Sequence, residues 1–188
     1  KKKMKTIEGK FQPWVPNYGY HSWKLDGKRD KELMEYLVKR NNDGRFVSND
    51  YSLPTSEDIR VDPEKSFVKD TLDEILEKVR TVNDKLSIMK SNFGSEVWGQ
   101  VNYKGGSTAM HKHDNCFAFV YYVNAPKDCG MLNWYINYDT KFEVCKADPA
   151  SKSLLFFPGW VPHFTMRNQS DEPRVVLAGN LDLGGNDV

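Results

Sequence analysis

The chain contains four histidines, His21, His111, His113 and His163, and two of them stand one residue apart in the stretch "AMHKHDNCFAFVYYV". Imidazole is a good ligand for iron, zinc, copper and nickel, so a pair at this spacing poses the question of a metal site. On a strand, residues i and i+2 face the same way, and His111 and His113 can then point together into a barrel. Asp114 would face the other side unless a bulge or turn redirects it. His163 lies in "FFPGWVPHF", where Pro158-Gly159 and Pro162 mark a tight turn between strands that would hold a ligand rigidly. Two ligands from one strand and one from a distant turn occupy one side of a metal and leave the opposite positions open. That is the plan of a catalytic metal site rather than a closed structural one.

Arg174 begins "RVVLAGNLDL", and on that strand Arg174, Val176, Ala178 and Asn180 share a face. Small side chains beside an arginine leave space for a ligand, and guanidinium binds carboxylates through two parallel hydrogen bonds. A metal with an arginine behind it suits a small dicarboxylate that chelates the metal at one end. The alternative is a surface arginine paired with Asp171 or Glu172.

These residues need a scaffold, and the sequence changes character near Phe93-Gly94. Before that point the signals are helical. "DKELMEYLVKRNNDG" puts Leu33, Met34, Leu37 and Val38 on one helical face, with Asn-Asp-Gly as a stop. "DPEKSFVKDTLDEILEKVRTVNDKLSIMKSNFG" spaces Val68, Leu72, Ile75, Leu76, Val79, Val82, Leu86 and Met89 by three and four residues. That predicts a long amphipathic helix, or two joined ones, ending near Gly94. The turn-rich segment between them, around residues 43–62, is placed to cover a pocket mouth and to help select a substrate. After Gly94, "EVWGQVNY", "CFAFVYYV", "GMLNWYIN", "SLLFFP" and "RVVLAGNLDL" are short, aromatic and β-branched, and separated by Gly, Pro, Asn and Asp clusters. Such spacing predicts an antiparallel sandwich or jelly roll. Trp98, Trp134, Tyr121, Tyr122 and Trp160 are pocket candidates or core.

The residues from Glu96 to Leu183 resemble the iron(II)- and 2-oxoglutarate-dependent oxygenases. "WGQVNYKGGSTAMHKHDN", "FAFVYYVNAPKDCGMLNW", "LLFFPGWVPHF" and "EPRVVLAGNLDL" carry the likeness. They are most similar to a branch of small oxygenases with an H-x-H motif and an "FP-x-x-x-x-H" segment, and more loosely to prolyl hydroxylases. The resemblance implies a mainly β core of the α+β class, a double-stranded β-helix (jelly roll, cupin-like), with supporting N-terminal helices. It implies one domain over residues 1–188, with 1–94 as mostly helical support and loop and 95–188 as the core. It implies iron(II) as cofactor and 2-oxoglutarate as co-substrate. Hydroxylation of a small-molecule or peptidyl substrate by dioxygen would then release succinate and CO2.

By the same resemblance His111 is the first metal ligand and His163 the distal one. Arg174 binds the far carboxylate of 2-oxoglutarate, and Tyr103 hydrogen-bonds to it. The family's usual second ligand is a carboxylate two residues after the first histidine, and that place is held by His113. Either His113 completes a three-histidine set, or local bulging lets Asp114 supply the carboxylate. A three-histidine set leaves the iron one charge unit more positive, which favours a dianionic co-substrate. It also opens an alternative, a cupin-type three-histidine metalloenzyme that does not use 2-oxoglutarate. "GGSTAMHKH" fits the cupin opening, but Phe117 and Ala118 stand where the cupin glutamate is expected, and a cupin has no need of Arg174.

The totals agree with an enzyme domain. The 188 residues suffice for a real core, and 27 basic against 26 acidic side chains give no polyanion-binding surface, so nucleic acid is not expected. Cys116, Cys129 and Cys145 are an odd set without C-x-x-C spacing, which argues against a disulfide framework or a cysteine zinc site and for a reducing, cytoplasmic-type compartment. No apolar run approaches the roughly 18 residues of a membrane span.

Overall fold

The computed structural model describes residues 9–15, 18–43, 58–89, 96–114, 116–138 and 141–183. In chain order the elements are β1 (Lys10–Val15), β2 (Tyr18–Lys24), α1 (Asp30–Asp43), β3 (Ile59–Arg60), α2 (Ser66–Val79), β4 (Leu86–Ile88), β5 (Val97–Asn102), β6 (Phe117–Asn124), β7 (Leu132–Tyr138), β8 (Lys141–Ala147), β9 (Ser153–Pro158), β10 (His163–Thr165) and β11 (Arg174–Leu183). The larger sheet runs β1-β2-β9-β6-β11-β5-β3, with β4 paired to the far end of β11; the smaller sheet is β10-β7-β8. All pairings are antiparallel, and neither sheet closes on itself. This is an open jelly roll backed by two helices.

The central strands read as unbroken apolar runs because both of their faces are covered. On one face Phe119, Tyr121, Leu154, Phe156, Val175 and Leu177 pack with Leu33 and Leu37 of α1 and Val68, Ile75 and Val79 of α2. On the other, Ala118, Tyr122, Leu155, Phe157 and Val176 meet Leu132, Trp134 and Ile136 of the small sheet. The alternation is the period-two pattern of a pleated strand. Helix α1 seats on β5 at Gly99, where a Cβ would collide with Leu37. Leu33 and Leu37 are fully buried, and truncating either to alanine costs about 2–5 kcal/mol.

Two expectations need correction. The long amphipathic helix stops at Val79, and Leu86 lies on β4, paired with Leu183. Thr-Val-Asn-Asp is weak helix sequence, and its side chains bond the backbone locally. The Thr81 hydroxyl donates to Lys78 O (2.6 Å), and Asn83 Oδ1 accepts from Lys85 N (3.0 Å). Val82 is accordingly 42% exposed instead of continuing the apolar stripe. The second correction concerns the N-terminal part, which is not only helix and loop: β1 and β2 extend the large sheet through the pairing of β2 with β9. Pro13 argues against a central strand, but β1 is an edge, where proline is tolerated. The helix end expected near Gly94 and most of the 43–62 segment fall outside the described residues. No helix among the described residues is long and apolar enough to cross a membrane. The three cysteines are free thiols, Cys116 and Cys129 buried.

Candidate functional site

His111, His113 and His163 converge between the two sheets, with ligand atoms all within 4.8 Å of one another. The ring centroids are 4.4 Å apart for His111 and His163, 5.1 Å for His111 and His113, and 5.3 Å for His113 and His163. The H-x-H segment is not a regular strand. It is an extended stretch before β6 held by single backbone contacts. His111 and His163 exchange both backbone hydrogen bonds (3.0 and 2.9 Å), and His113 N donates to Gly159 O (2.8 Å). The i, i+2 facing survives because the stretch is extended. Gly159 lets the "FPGW" turn approach so closely: a Cβ there would stand 2.9 Å from Cys116 O and 3.2 Å from the His113 Cβ.

The imidazoles are prepared for a metal. Nδ1 of His111 lies 2.8 Å from Ala109 O, and Nδ1 of His163 lies 2.8 Å from Val161 O. A carbonyl oxygen only accepts, so each Nδ1 carries the proton and each Nε2 keeps its lone pair free. Burial pushes the His163 pKa down to about 3, with the neighbouring imidazoles acting in the same direction. Burial also lowers His113, as does His111, against the opposing charges of Asp58, Glu96 and Asp114. Both rings are therefore neutral at pH 7, the form that binds a metal. Asp114 is not brought to the cluster: its carboxylate is 85% exposed and lies 3.6 Å from the Lys112 ammonium.

A narrow cleft runs from the histidines between the sheets to Arg174, walled by Trp98, Gln100, Thr108, Tyr122, Phe157, Phe164, Thr165, Val176 and Ala178. Arg174 is 1% exposed. Nη1 donates to Cys129 O (2.7 Å), Gly130 O (3.2 Å) and Met166 O (3.2 Å), and Nη2 donates to Thr165 Oγ1 (2.8 Å). All these acceptors are neutral, and among the described residues no carboxylate pairs with this cation. Asp171 pairs with Lys104 instead (2.6 Å). A buried guanidinium without a counter-charge is costly, and the remedy that fits this cleft is an anionic ligand. Gly130 (φ +88°) makes the carbonyl cradle possible, since a Cβ there would collide with Met166 O.

Tyr103 is placed elsewhere: it follows the end of β5, is 44% exposed, and its hydroxyl donates to Asn42 Oδ1 (3.3 Å). The phenol in the cleft is Tyr122, 1% exposed, with its acidity suppressed by burial and partly restored by Arg174. Its signal was present in the alternation Ala118, Val120, Tyr122. Tyr122 was among the pocket candidates in sequence; Thr165 was not. Its Oγ1 accepts from both Arg174 Nη2 and Thr108 N (each 2.8 Å), so its own proton remains for a further acceptor. Asn180, on the same face of β11 as Arg174, lies towards the other end of the strand and donates to Glu96 (2.8 Å). Trp160 and Tyr121 lie away from the cleft: Trp160 is 40% exposed, and Tyr121 packs on the helix side with its hydroxyl on Asp30 (2.6 Å).

Residues 96–180 match the family model described as "Putative 2OG-Fe(II) oxygenase". No curated protein sequence matches the chain. Among solved structures it is similar to a Pseudomonas putida prolyl-4-hydroxylase, with TM-score 0.62 and 17% identity over 89% of this chain and 94% of that one. It is similar to the non-heme alpha-ketoglutarate-dependent epimerase SnoN of nogalamycin biosynthesis, with TM-score 0.67 and 12% identity over 89% and 77%. A prolyl hydroxylase from Trichoplax adhaerens, solved with a hypoxia inducible factor peptide, gives TM-score 0.62 and 15% identity over 89% and 85%. At these identities the neighbours speak for the fold, and the family match together with the imidazole cluster speaks for the chemistry. Residues 96–180 thus match the 2OG-Fe(II) oxygenase family model, and that match together with the histidine cluster supports an iron(II)- and 2-oxoglutarate-dependent dioxygenase.

Proposed function

We propose that His111, His113 and His163 hold iron(II), that Arg174, Thr165 and Tyr122 receive the far carboxylate of 2-oxoglutarate, and that the enzyme hydroxylates an organic substrate. The observation that carries this reading is a three-imidazole cluster joined by one cleft to a buried guanidinium without a carboxylate of its own. Iron(II) held there would supply dioxygen activation, with 2-oxoglutarate and the substrate C–H bond each giving two electrons, so that one oxygen atom would enter succinate as CO2 leaves and the other the substrate as hydroxyl.

The protein's part is positioning. The Nδ1 bonds to Ala109 O and Val161 O orient two ligands. The carbonyl cradle fixes one edge of the Arg174 guanidinium. Trp98, Gln100 and Phe164 wall the cleft and limit water. Gln100 is itself held by Asp58, through a 2.9 Å bond from Nε2, and by the Thr108 hydroxyl (3.1 Å). The substrate is a small molecule or a peptidyl side chain that meets the metal from this side.

The test is succinate formation from 2-oxoglutarate by protein reconstituted with iron(II), with and without candidate substrates. Iron-dependent succinate is the expected result. A second reading, the cupin-type metalloenzyme, draws on His113 in the place of a carboxylate. Bound metal with no affinity for 2-oxoglutarate would favour it, and the unpaired charge of Arg174 weighs against it.

A further inference from the structure

Asn180 is 9% exposed, and only one end of its amide is satisfied. Nδ2 donates to Glu96 Oε2 (2.8 Å), which fixes the amide's orientation, and Oδ1 is buried without a donor. A buried carbonyl oxygen with no donor is costly, so its retention points to a group that arrives from outside. The position of the pair says where. Asn180 shares a face of β11 with Val176 and Ala178, which both wall the cleft. It stands opposite Ala118, another cleft residue, at the end of the strand away from Arg174. The β5–β11 ladder sets Trp98 opposite Ala178 and continues through the bond from Asn180 N to Glu96 O (2.9 Å). Asn180 and Glu96 therefore extend the cleft walls beyond Trp98, whose ring centroid lies 5.7 Å from that of His113.

The carboxylates around this end lack counter-charges. Glu96 and Asp58 both act electrostatically on His113, which places them near the imidazole cluster. Asp58 accepts from Gln100 (2.9 Å), and Asp182, two residues beyond Asn180, accepts from the Ser87 hydroxyl (2.7 Å). The partners of Glu96, Asp58 and Asp182 are thus neutral, and none of the three makes an ion pair among the described residues. Lys112 is engaged with Asp114, and the exposed Arg60, opposite Trp98 on β3, pairs with none of them.

We infer that Asn180 Oδ1 and the Glu96 carboxylate form a substrate subsite for a primary ammonium group, so that the enzyme takes an amine-bearing substrate and presents its alkyl chain to the metal. This rests on the oxygenase reading of the histidine cluster. An ammonium donates three hydrogen bonds and accepts none, which matches a carbonyl oxygen beside carboxylates. The competing occupant is a buried water that completes a purely structural amide.

Protein loaded with manganese(II) and 2-oxoglutarate broadens the proton resonances of a small molecule bound beside the metal. Nα-acetyllysine amide represents a peptidyl source of the ammonium and n-butylamine a small-molecule source. Their uncharged counterparts are Nα-acetylnorleucine amide and n-butanol. The expected result is affinity for an amine probe roughly tenfold or more above that for its counterpart, with the preference lost in Glu96→Gln and reduced in Asn180→Leu. A response confined to the lysine probe assigns the peptidyl source, and an equal response to n-butylamine assigns the small amine. Amine probes that broaden no more than their counterparts overturn the inference and leave the site reading intact. A preference that survives in both variants also overturns it, because the ammonium is then held elsewhere. Should Glu96→Gln not fold, the wild-type comparison and Asn180→Leu decide. Wild-type protein that binds manganese but no 2-oxoglutarate in a calorimetric titration overturns the site reading, and the inference with it.

Discussion

His163 is the most buried of the three imidazoles, and its pH behaviour follows from that burial. Its folded pKa is about 3 against an ordinary 6.5. Below pH 6.5 the unfolded chain takes up a proton that the folded chain refuses until about pH 3, so acid favours unfolding. In metal-free protein this one group should remove about 1.4 kcal/mol of stability per pH unit across that window. Denaturant midpoints between pH 7 and 5 should therefore fall less steeply for His163→Gln than for wild type, and equal slopes would refute the assignment. Arg174→Lys keeps the charge but loses the fork. It should raise the KM for 2-oxoglutarate on the order of tenfold to a hundredfold with little change in kcat at saturation. The three histidines and Arg174 were legible because such side chains are rare and their spacing is informative. Tyr103 misled because β5 ends one residue before it, and no side-chain pattern announces where a strand stops.

Glycines decide whether the elements can bring these groups together. At Gly130 an added methyl meets Met166 O at a backbone angle that L-residues rarely adopt. Gly130→Ala should lower Tm by several degrees, through strain of at least 1–2 kcal/mol, and weaken 2-oxoglutarate binding by displacing the Arg174 cradle. A variant with wild-type Tm and KM would show that the loop is not what holds the arginine. The strands of the core were readable from their apolar runs. β4 was not, because Leu86 fits both a helical spacing from Val79 and a three-residue strand, and the choice is made by the unfilled edge of β11. β8 was also missed: "KFEVCKA" alternates, but Phe142 and Val144 are exposed, so its apolar side does not mark a core.

At the scale of the molecule, β1 and β2 cover the β9 edge of the large sheet while the helices cover its face. The sequence concealed this, since pairing between residues 21–24 and 153–156 is a long-range fact that local pattern cannot carry. If the chain is one cooperative domain, tryptophan fluorescence and far-ultraviolet circular dichroism should report a single coincident unfolding transition. Deleting residues 1–24 should expose β9 and give aggregation-prone protein; a soluble, active truncation would make the N-terminal strands dispensable. The central claim, a three-histidine iron site that chelates 2-oxoglutarate, is tested most directly by anaerobic titration of the iron(II)-loaded protein with 2-oxoglutarate, following the visible charge-transfer absorption of iron(II) bound to a 2-oxo acid. The account predicts that absorption in wild type and in Asp114→Ala, and its loss in His113→Ala and His163→Ala. Its absence from wild type, or its loss in Asp114→Ala with retention in His113→Ala, would contradict the account.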